Sequence, residues 1–433
     1  MSHALARPLK AQRVAVVGAG WAGIAAAVHA RRAGHEVHVF EMAPLPGGRA
    51  RSVPVDGLVL DNGQHILIGA YRATLELMAV LGVDATRVLH RMPLALCGPD
   101  GHGLRLRPGA PVPAFVRGVL AHAGWRWRDR LALLRIAAGW AVTGFRCDEQ
   151  LSVAALCRSL PATLREQLIE PLCVAALNTP AEEASGRVFL RVLRDALFSG
   201  TGSSDLLLPA APLGDLLPNP ALRWFEAHDV TYRHTTRVRQ LQRREARWQI
   251  DDHVFDAVVL ACSAREAARL CADLQPEWAR QADALRYEPI ITVYLRCPGA
   301  RLPLPMVALP TGPLAPAQFA FDLGALGVAD GLFGFVISGA AEWVERGLQA
   351  TAEATLHQAM SAFPDLTRPE TPTVVHLAAE KRATFRCTPG LARPAARIAP
   401  GLLAAGDYVA GPYPATLEGA VRSGREAALT LAN

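Results

Sequence analysis

Three glycines and one carboxylate carry the most specific chemistry in this chain. Gly18, Gly20, Gly23 and Glu41 stand in the run VAVVGAGWAGIAAAVHARRAGHEVHVFE. This spacing binds the diphosphate of a dinucleotide. Gly18 permits a tight turn out of a strand. Gly20 lets the backbone approach a pyrophosphate, and Gly23 lets a helix pack closely on a sheet. The helix beginning at Trp21 and Ala22 offers free N–H groups to phosphate oxygens. Glu41, at the end of the next strand, can accept both hydroxyls of an adenosine ribose. A carboxylate there favours an unphosphorylated ribose over a 2′-phosphate.

A second set follows in LPGGRARS. Gly47 and Gly48 allow a close backbone turn, and Arg49 can fork onto pyrophosphate oxygens. This set moves the expected cofactor from a nicotinamide to FAD. The closing segment adds GLLAAGD, with Gly406 and Asp407, and then ATLEGAVRSGREAA. Asp407 suits a hydrogen bond to the ribityl or phosphate region. Thr416 can cap the last helix. The amides of Leu417 and Glu418 would then face the flavin pyrimidine edge, where a helix N-terminus favours negative charge. Other polar points sit beside apolar runs: Asp61, Asn62, Gln64 and His65 in LDNGQH, and Glu170 and Asn178 around PLCVAALN. Such residues serve in acid–base chemistry or, equally, as turn and cap residues.

The elements that must hold these groups are readable from periodicity and turn residues. Residues 12–41 form a strand–helix–strand unit. A helix over 71–81 ends at Gly82, and 87–108 reads as strands or hairpins. Helices follow over 111–142, 150–176 and 183–197, then a proline-rich connection at 203–218. A short helix at 219–228 leads into strands over 231–262. Further strands are expected at 286–296, 331–338 and 374–385, with a helix at 340–363. The expected fold is α/β. A Rossmann-like FAD-binding domain is assembled from discontinuous segments (1–85, 219–280 and 395–433). A mixed α+β substrate domain (86–218 and 281–394) is inserted between them.

Composition bounds the alternatives. Of the 433 residues, 51% are apolar and only 19% charged, which suits an enzyme with a large core and an apolar ligand. Net charge is +6 and almost all of it is arginine, Lys10 and Lys381 being the two lysines. No lysine-rich tail or basic–aromatic alternation points to nucleic acid. No apolar run reaches the ~18 residues that span a bilayer. MSHALARPLKAQR lacks the apolar centre of a leader, so a cytoplasmic location is expected. The eight cysteines are scattered without a CxxC pair, so neither a zinc site nor a disulfide framework is expected.

Taken together, GAGWAG…E…GGRA, the GQH at 63–65 and the terminal AGD…PATLEGAVRSG resemble the FAD-dependent amine oxidase and carotenoid desaturase superfamily. LDNGQHILIGAY, PLCVAALNTP, VFLRVLRDALF and SDLLLP are similar to one branch, the squalene-associated hydroxysqualene dehydroxylases of hopanoid pathways. The resemblance runs over nearly the whole chain. It implies that Gly18, Gly20, Gly23, Glu41, Arg49 and Asp407 hold FAD, and that the backbone of Val238 contacts adenine. It also implies reductive removal of an allylic hydroxyl from a long-chain isoprenoid alcohol. Asp61 or His65 would then protonate the leaving oxygen, directly or through water, with Glu170 and Asn178 as further candidates, while Gln64 would satisfy backbone groups around the flavin. The same fold serves a carotenoid-type desaturase running the flavin the other way, an amine oxidase, or a lipid-binding protein that kept the flavin scaffold. An electron donor or partner reductase is implied but unnamed. The arginine-interleaved apolar stretch at 112–142, with Trp125 and Trp127, is a candidate membrane-facing surface at the inner face of the cytoplasmic membrane.

Overall fold

The computed structural model describes residues 11–367 and 371–431. Most of the segment read above for a leader, including Lys10, lies outside them. Strand β1 (Arg13–Val17), helix α1 (Trp21–Arg32) and strand β2 (Glu36–Phe40) form the first unit. Their apolar side chains are almost wholly buried, as a parallel strand covered on both faces requires. The sheet runs in the order Thr231–Arg233, β2, β1, Ala257–Leu260, Leu402–Ala404, all parallel, with Arg397–Ala399 antiparallel at one edge. Its strands come from three stretches far apart in the chain.

The closing helix, Leu417–Leu431, packs directly on α1. A Cβ added to Gly424 would stand 2.1 Å from the Ala22 carbonyl oxygen, so the two backbones meet where only hydrogen fits. This contact brings the last segment of the chain beside the first glycine turn.

A second, antiparallel sheet has the order Met306–Ala308, Phe319–Asp322, Leu332–Ile337, Tyr287–Arg296, Thr373–Phe385. Strand 287–296 alternates between two cores: Ile291, Val293 and Leu295 face one, and Tyr294 the other. Helices between Pro111 and Phe198 pack around Leu133, Leu164, Phe189 and Leu190. The proline-rich connection differs from expectation. Leu206–Pro209 is a buried strand, antiparallel to both Leu67–Ile68 and Leu89–Met92. Its partners lie more than a hundred residues away, so local composition hides it.

Candidate active site

The turn after β1 is held by contacts only glycine permits. Gly18 has φ +105°, and its N–H donates to the Phe40 carbonyl at 2.7 Å. A Cβ on Gly23 would lie 1.9 Å from the Gly18 carbonyl oxygen. The second glycine turn lies against the first. The Gly47 N–H donates to the Ala19 carbonyl at 2.8 Å, and Gly20 and Gly47 form a parallel bridge. Gly48 has φ +61°, and a Cβ on it would stand 3.3 Å from the Gly20 Cα.

Glu41 fastens this arrangement to the end of β2. Its Oε2 accepts from the Ala19 N–H at 2.6 Å and its Oε1 from the Ala43 N–H at 2.7 Å. Each oxygen keeps a further acceptor position. The Thr236 N–H reaches the Glu41 carbonyl, which places the Val238 segment beside it. Val238 itself is buried, with its carbonyl accepting from Arg269.

These groups line a single cavity of about 550 Å³. Gly18, Gly20, Trp21 and Ala22 form one wall, and Glu41 and Val238 another. Gly48, Arg49, Gly406, Asp407, Thr416 and Leu417 close it from the far ends of the sequence, with Gln64 and His65 at the second sheet. Gly23 is not in the lining; it packs the helix instead.

Arg49 lines the cavity and also makes contacts within the chain. Its guanidinium pairs with Asp407 and donates to the Ala383 carbonyl at 2.7 Å. These contacts join the GGR turn to the GD turn and to the long strand 373–385. Gly406 is oriented by its N–H, which donates to Ser423 at 2.7 Å. Thr416 Oγ1 accepts from the Gly419 N–H at 2.9 Å. Glu418 is turned away from the cavity and is fully buried. Its carboxylate accepts from the N–H groups of Ala73 and Thr74, from the Thr74 hydroxyl and from Arg422. It caps the helix Arg72–Val80, which has no side-chain cap of its own.

Three of the four proton-donor candidates stand elsewhere. Asp61 is 9% exposed and outside the cavity. Its Oδ1 accepts from the Ser52 hydroxyl at 2.6 Å and the Leu213 N–H at 2.9 Å. Burial pushes its carboxyl up to about 6, against the pull of those two bonds. Glu170 opens the helix Glu170–Leu177 and accepts from the Ala181 N–H. Asn178 ends that helix at φ +47°, and its amide is fully engaged. It donates to the Glu288 carbonyl and the Thr384 hydroxyl and accepts from the Gly339 N–H. These bonds serve the fold, and none of Asp61, Glu170 and Asn178 is in the cavity lining.

His65 does line the cavity. Its Nδ1 lies 2.9 Å from the Gly63 carbonyl, which can only accept, so Nδ1 carries the proton. Burial lowers its pKa and the Arg49 charge adds to this, against the Gly63 bond. With Nδ1 so engaged, Nε2 is the ring nitrogen left to face the cavity. Gln64 donates to the Tyr294 hydroxyl at 3.2 Å, which donates to the Asp61 carbonyl at 2.8 Å. Tyr294 and the buried, unpartnered hydroxyl of Thr292 escaped sequence reading; the alternation of strand 287–296 was their signal. Trp125 is also corrected. It is 3% exposed, stacks on His122 and donates to Gln167, whereas Trp127 is 60% exposed.

The residues present fit FAD. The two glycine turns approach with no Cβ between them, and Glu41 keeps acceptor positions beside them. Comparison with known proteins agrees. The model of the flavin containing amine oxidoreductases matches residues 21–431. Hydroxysqualene dehydroxylases of Sinorhizobium fredii and Rhodopseudomonas palustris are 28% and 29% identical, each over 96% of this chain and 97% of the relative. A 15-cis-phytoene desaturase of Synechococcus elongatus is 24% identical over 95% of this chain and 94% of its own. A solved oxidoreductase of Methanosarcina mazei shares the fold, with TM-score 0.71 at 16% identity over 96% of this chain and 99% of that one. From the two joined glycine turns to the closing helix, the chain belongs to the flavin containing amine oxidoreductase family and is an FAD-dependent oxidoreductase.

Proposed function

We propose that this protein reductively dehydroxylates hydroxysqualene to squalene. The observation that carries the reading is end-to-end similarity to two hydroxysqualene dehydroxylases, at 28% and 29% identity. When bound and reduced, FAD supplies the hydride for such a step. The carbon–oxygen bond breaks, hydride replaces oxygen on the allylic carbon, and the departing hydroxide takes a proton and leaves as water.

The chain's own residues do the rest. Glu41 and the paired glycine turns hold the dinucleotide. The Arg49–Asp407 pair locks strand 373–385 against that site. His65 Nε2 accepts a hydrogen bond from the substrate hydroxyl and orients it, and the Gly63 carbonyl fixes the tautomer. The proton reaches the leaving oxygen through water, since the His65 Nδ1 proton is held by the Gly63 carbonyl. Among the described residues no helix is long and apolar enough to cross a membrane. A substrate this insoluble is drawn from a lipid surface, and Trp127 and Leu131, 60% and 48% exposed on one helix, offer a place for that contact.

Anaerobic mixing of pre-reduced protein with hydroxysqualene tests the reading. Flavin reoxidation with matching release of squalene is expected. The phytoene desaturase relative supports a second reading. Reduction of the oxidised flavin by phytoene, with no reoxidation by hydroxysqualene, would replace the first reading with the second.

A further inference from the structure

A second cleft, of about 860 Å³, lies beside the flavin cavity. The two share thin walls. Ala383 and Thr384 face the flavin cavity while Phe385 faces the cleft; Ala415 and Thr416 face the cavity while Pro412 and Pro414 face the cleft. Five arginines line the cleft, Arg146, Arg187, Arg191, Arg194 and Arg393, against one carboxylate, Glu149.

The partners of these arginines are uneven. Arg187 pairs with Glu149 at 3.1 Å, and Arg191 with Asp195 at 2.8 Å. Arg146 and Arg194 make no hydrogen bond or ion pair among the described residues. Arg393 is half-buried and is held by two carbonyls, those of Val409 and Gly411, and makes no direct ion pair among the described residues. Burial lowers its pKa, and the more distant Cys387 and Asp407 offset only part of that lowering. Backbone bonds aim the guanidinium but do not neutralise it. Three guanidinium groups that make no ion pair among the described residues thus line one concave site, an arrangement that an anion would satisfy.

We propose that this cleft binds a phosphate-bearing ligand, with Arg393 as its fixed donor and Arg146 and Arg194 closing on the same group. Guanidinium groups match phosphate oxygens in geometry and remain charged at every working pH. The site is separate from the flavin diphosphate site, which the glycine turns form, and it does not depend on the substrate proposed above. Two sources carry this chemistry: a soluble diphosphate and the headgroup of an anionic lipid.

The test uses the FAD-loaded protein, so that the flavin diphosphate site is filled. Inorganic pyrophosphate is titrated by calorimetry, and vesicles of phosphatidylglycerol or phosphatidylcholine are co-sedimented. The proteins compared are wild type, Arg146→Gln/Arg194→Gln, Arg393→Gln and the exposed Arg280→Gln, which lies outside the cleft. Each lost charge-assisted contact should weaken binding about tenfold or more. The double variant removes only exposed side chains, so it keeps the test decisive if Arg393→Gln folds poorly. Saturable pyrophosphate binding that the double variant loses and Arg280→Gln keeps assigns the cleft to a soluble diphosphate. Arginine-dependent capture by phosphatidylglycerol but not phosphatidylcholine vesicles assigns it to a lipid headgroup. If neither probe binds in a way that depends on the cleft arginines, the proposal is overturned.

Discussion

Replacing Asp61 by Asn should stabilise the protein above neutral pH and leave it nearly unchanged in acid. The carboxyl ordinarily titrates at 3.8, and burial raises it to about 6. Its folded form therefore holds a proton that the unfolded chain releases earlier. As pH rises from about 4 to about 6, the unfolded chain ionises first, so folding stability falls; above about 6 the loss is complete. The displacement corresponds to ~3 kcal/mol between the two protonation states. Asn keeps an oxygen to accept from Ser52 and from the Leu213 N–H, the two bonds now made by Oδ1. The variant should thus gain ~1–3 kcal/mol at about pH 7.5 and ~0 at about pH 4. Urea unfolding of FAD-saturated protein at both pH values measures this. A variant equally shifted at both, or destabilised at the higher pH, would refute the reasoning. The same variant should keep single-turnover flavin reoxidation, because the carboxyl lies outside the cavity. Loss of that reaction with full FAD content would return Asp61 to the proton-donor role.

Other substitutions separate packing from ligand binding. Asn178→Ala removes three buried hydrogen bonds at φ +47° and should cost ~3–5 kcal/mol in thermal or urea unfolding. Asn178→Gly, which tolerates that φ, should cost ~1 kcal/mol less. Glu418→Gln should cost ~2 kcal/mol by weakening the cap on the helix Arg72–Val80 and its Arg422 pair. Gly20→Ala should fold with near-normal melting yet bind FAD poorly, since its Cβ meets nothing nearer than the Gly48 Cα at 3.9 Å. Gly23→Ala should lose both, because its Cβ would lie 1.9 Å from the Gly18 oxygen. Melting temperature and the flavin-to-protein absorbance ratio decide each case.

The parts of the site that sequence reading located are those whose constraint is local. Gly18 and Gly23 are seven positions or fewer apart and touch each other, so the requirement for glycine is written within one turn. Glu41 ends a strand whose partner, β1, ends at the turn it fastens. The buried strand 257–260 announces itself by an unbroken apolar run. In each case the residue type and its neighbours in sequence are enough to state the contact.

Asp61, Glu170, Asn178 and Glu418 show why the rest was hidden. A polar residue beside an apolar run has the same local appearance whether it donates a proton to a substrate or satisfies a stray backbone group. Only its partner decides, and the partners are remote: Glu288, Gly339 and Thr384 for Asn178, Ala73 and Thr74 for Glu418, Leu213 for Asp61. Arg49 makes the same point from the opposite side. Its type and place point to a phosphate ligand, but its partner Asp407, more than three hundred residues later, is not legible from its neighbours in sequence. Arg393 makes no such ion pair among the described residues. Charge in a cleft is thus informative about ligands only after the chain's own counter-charges have been assigned. By that criterion the arginines that make no ion pair mark where this fold has room for a further anion beside the one the glycine turns receive.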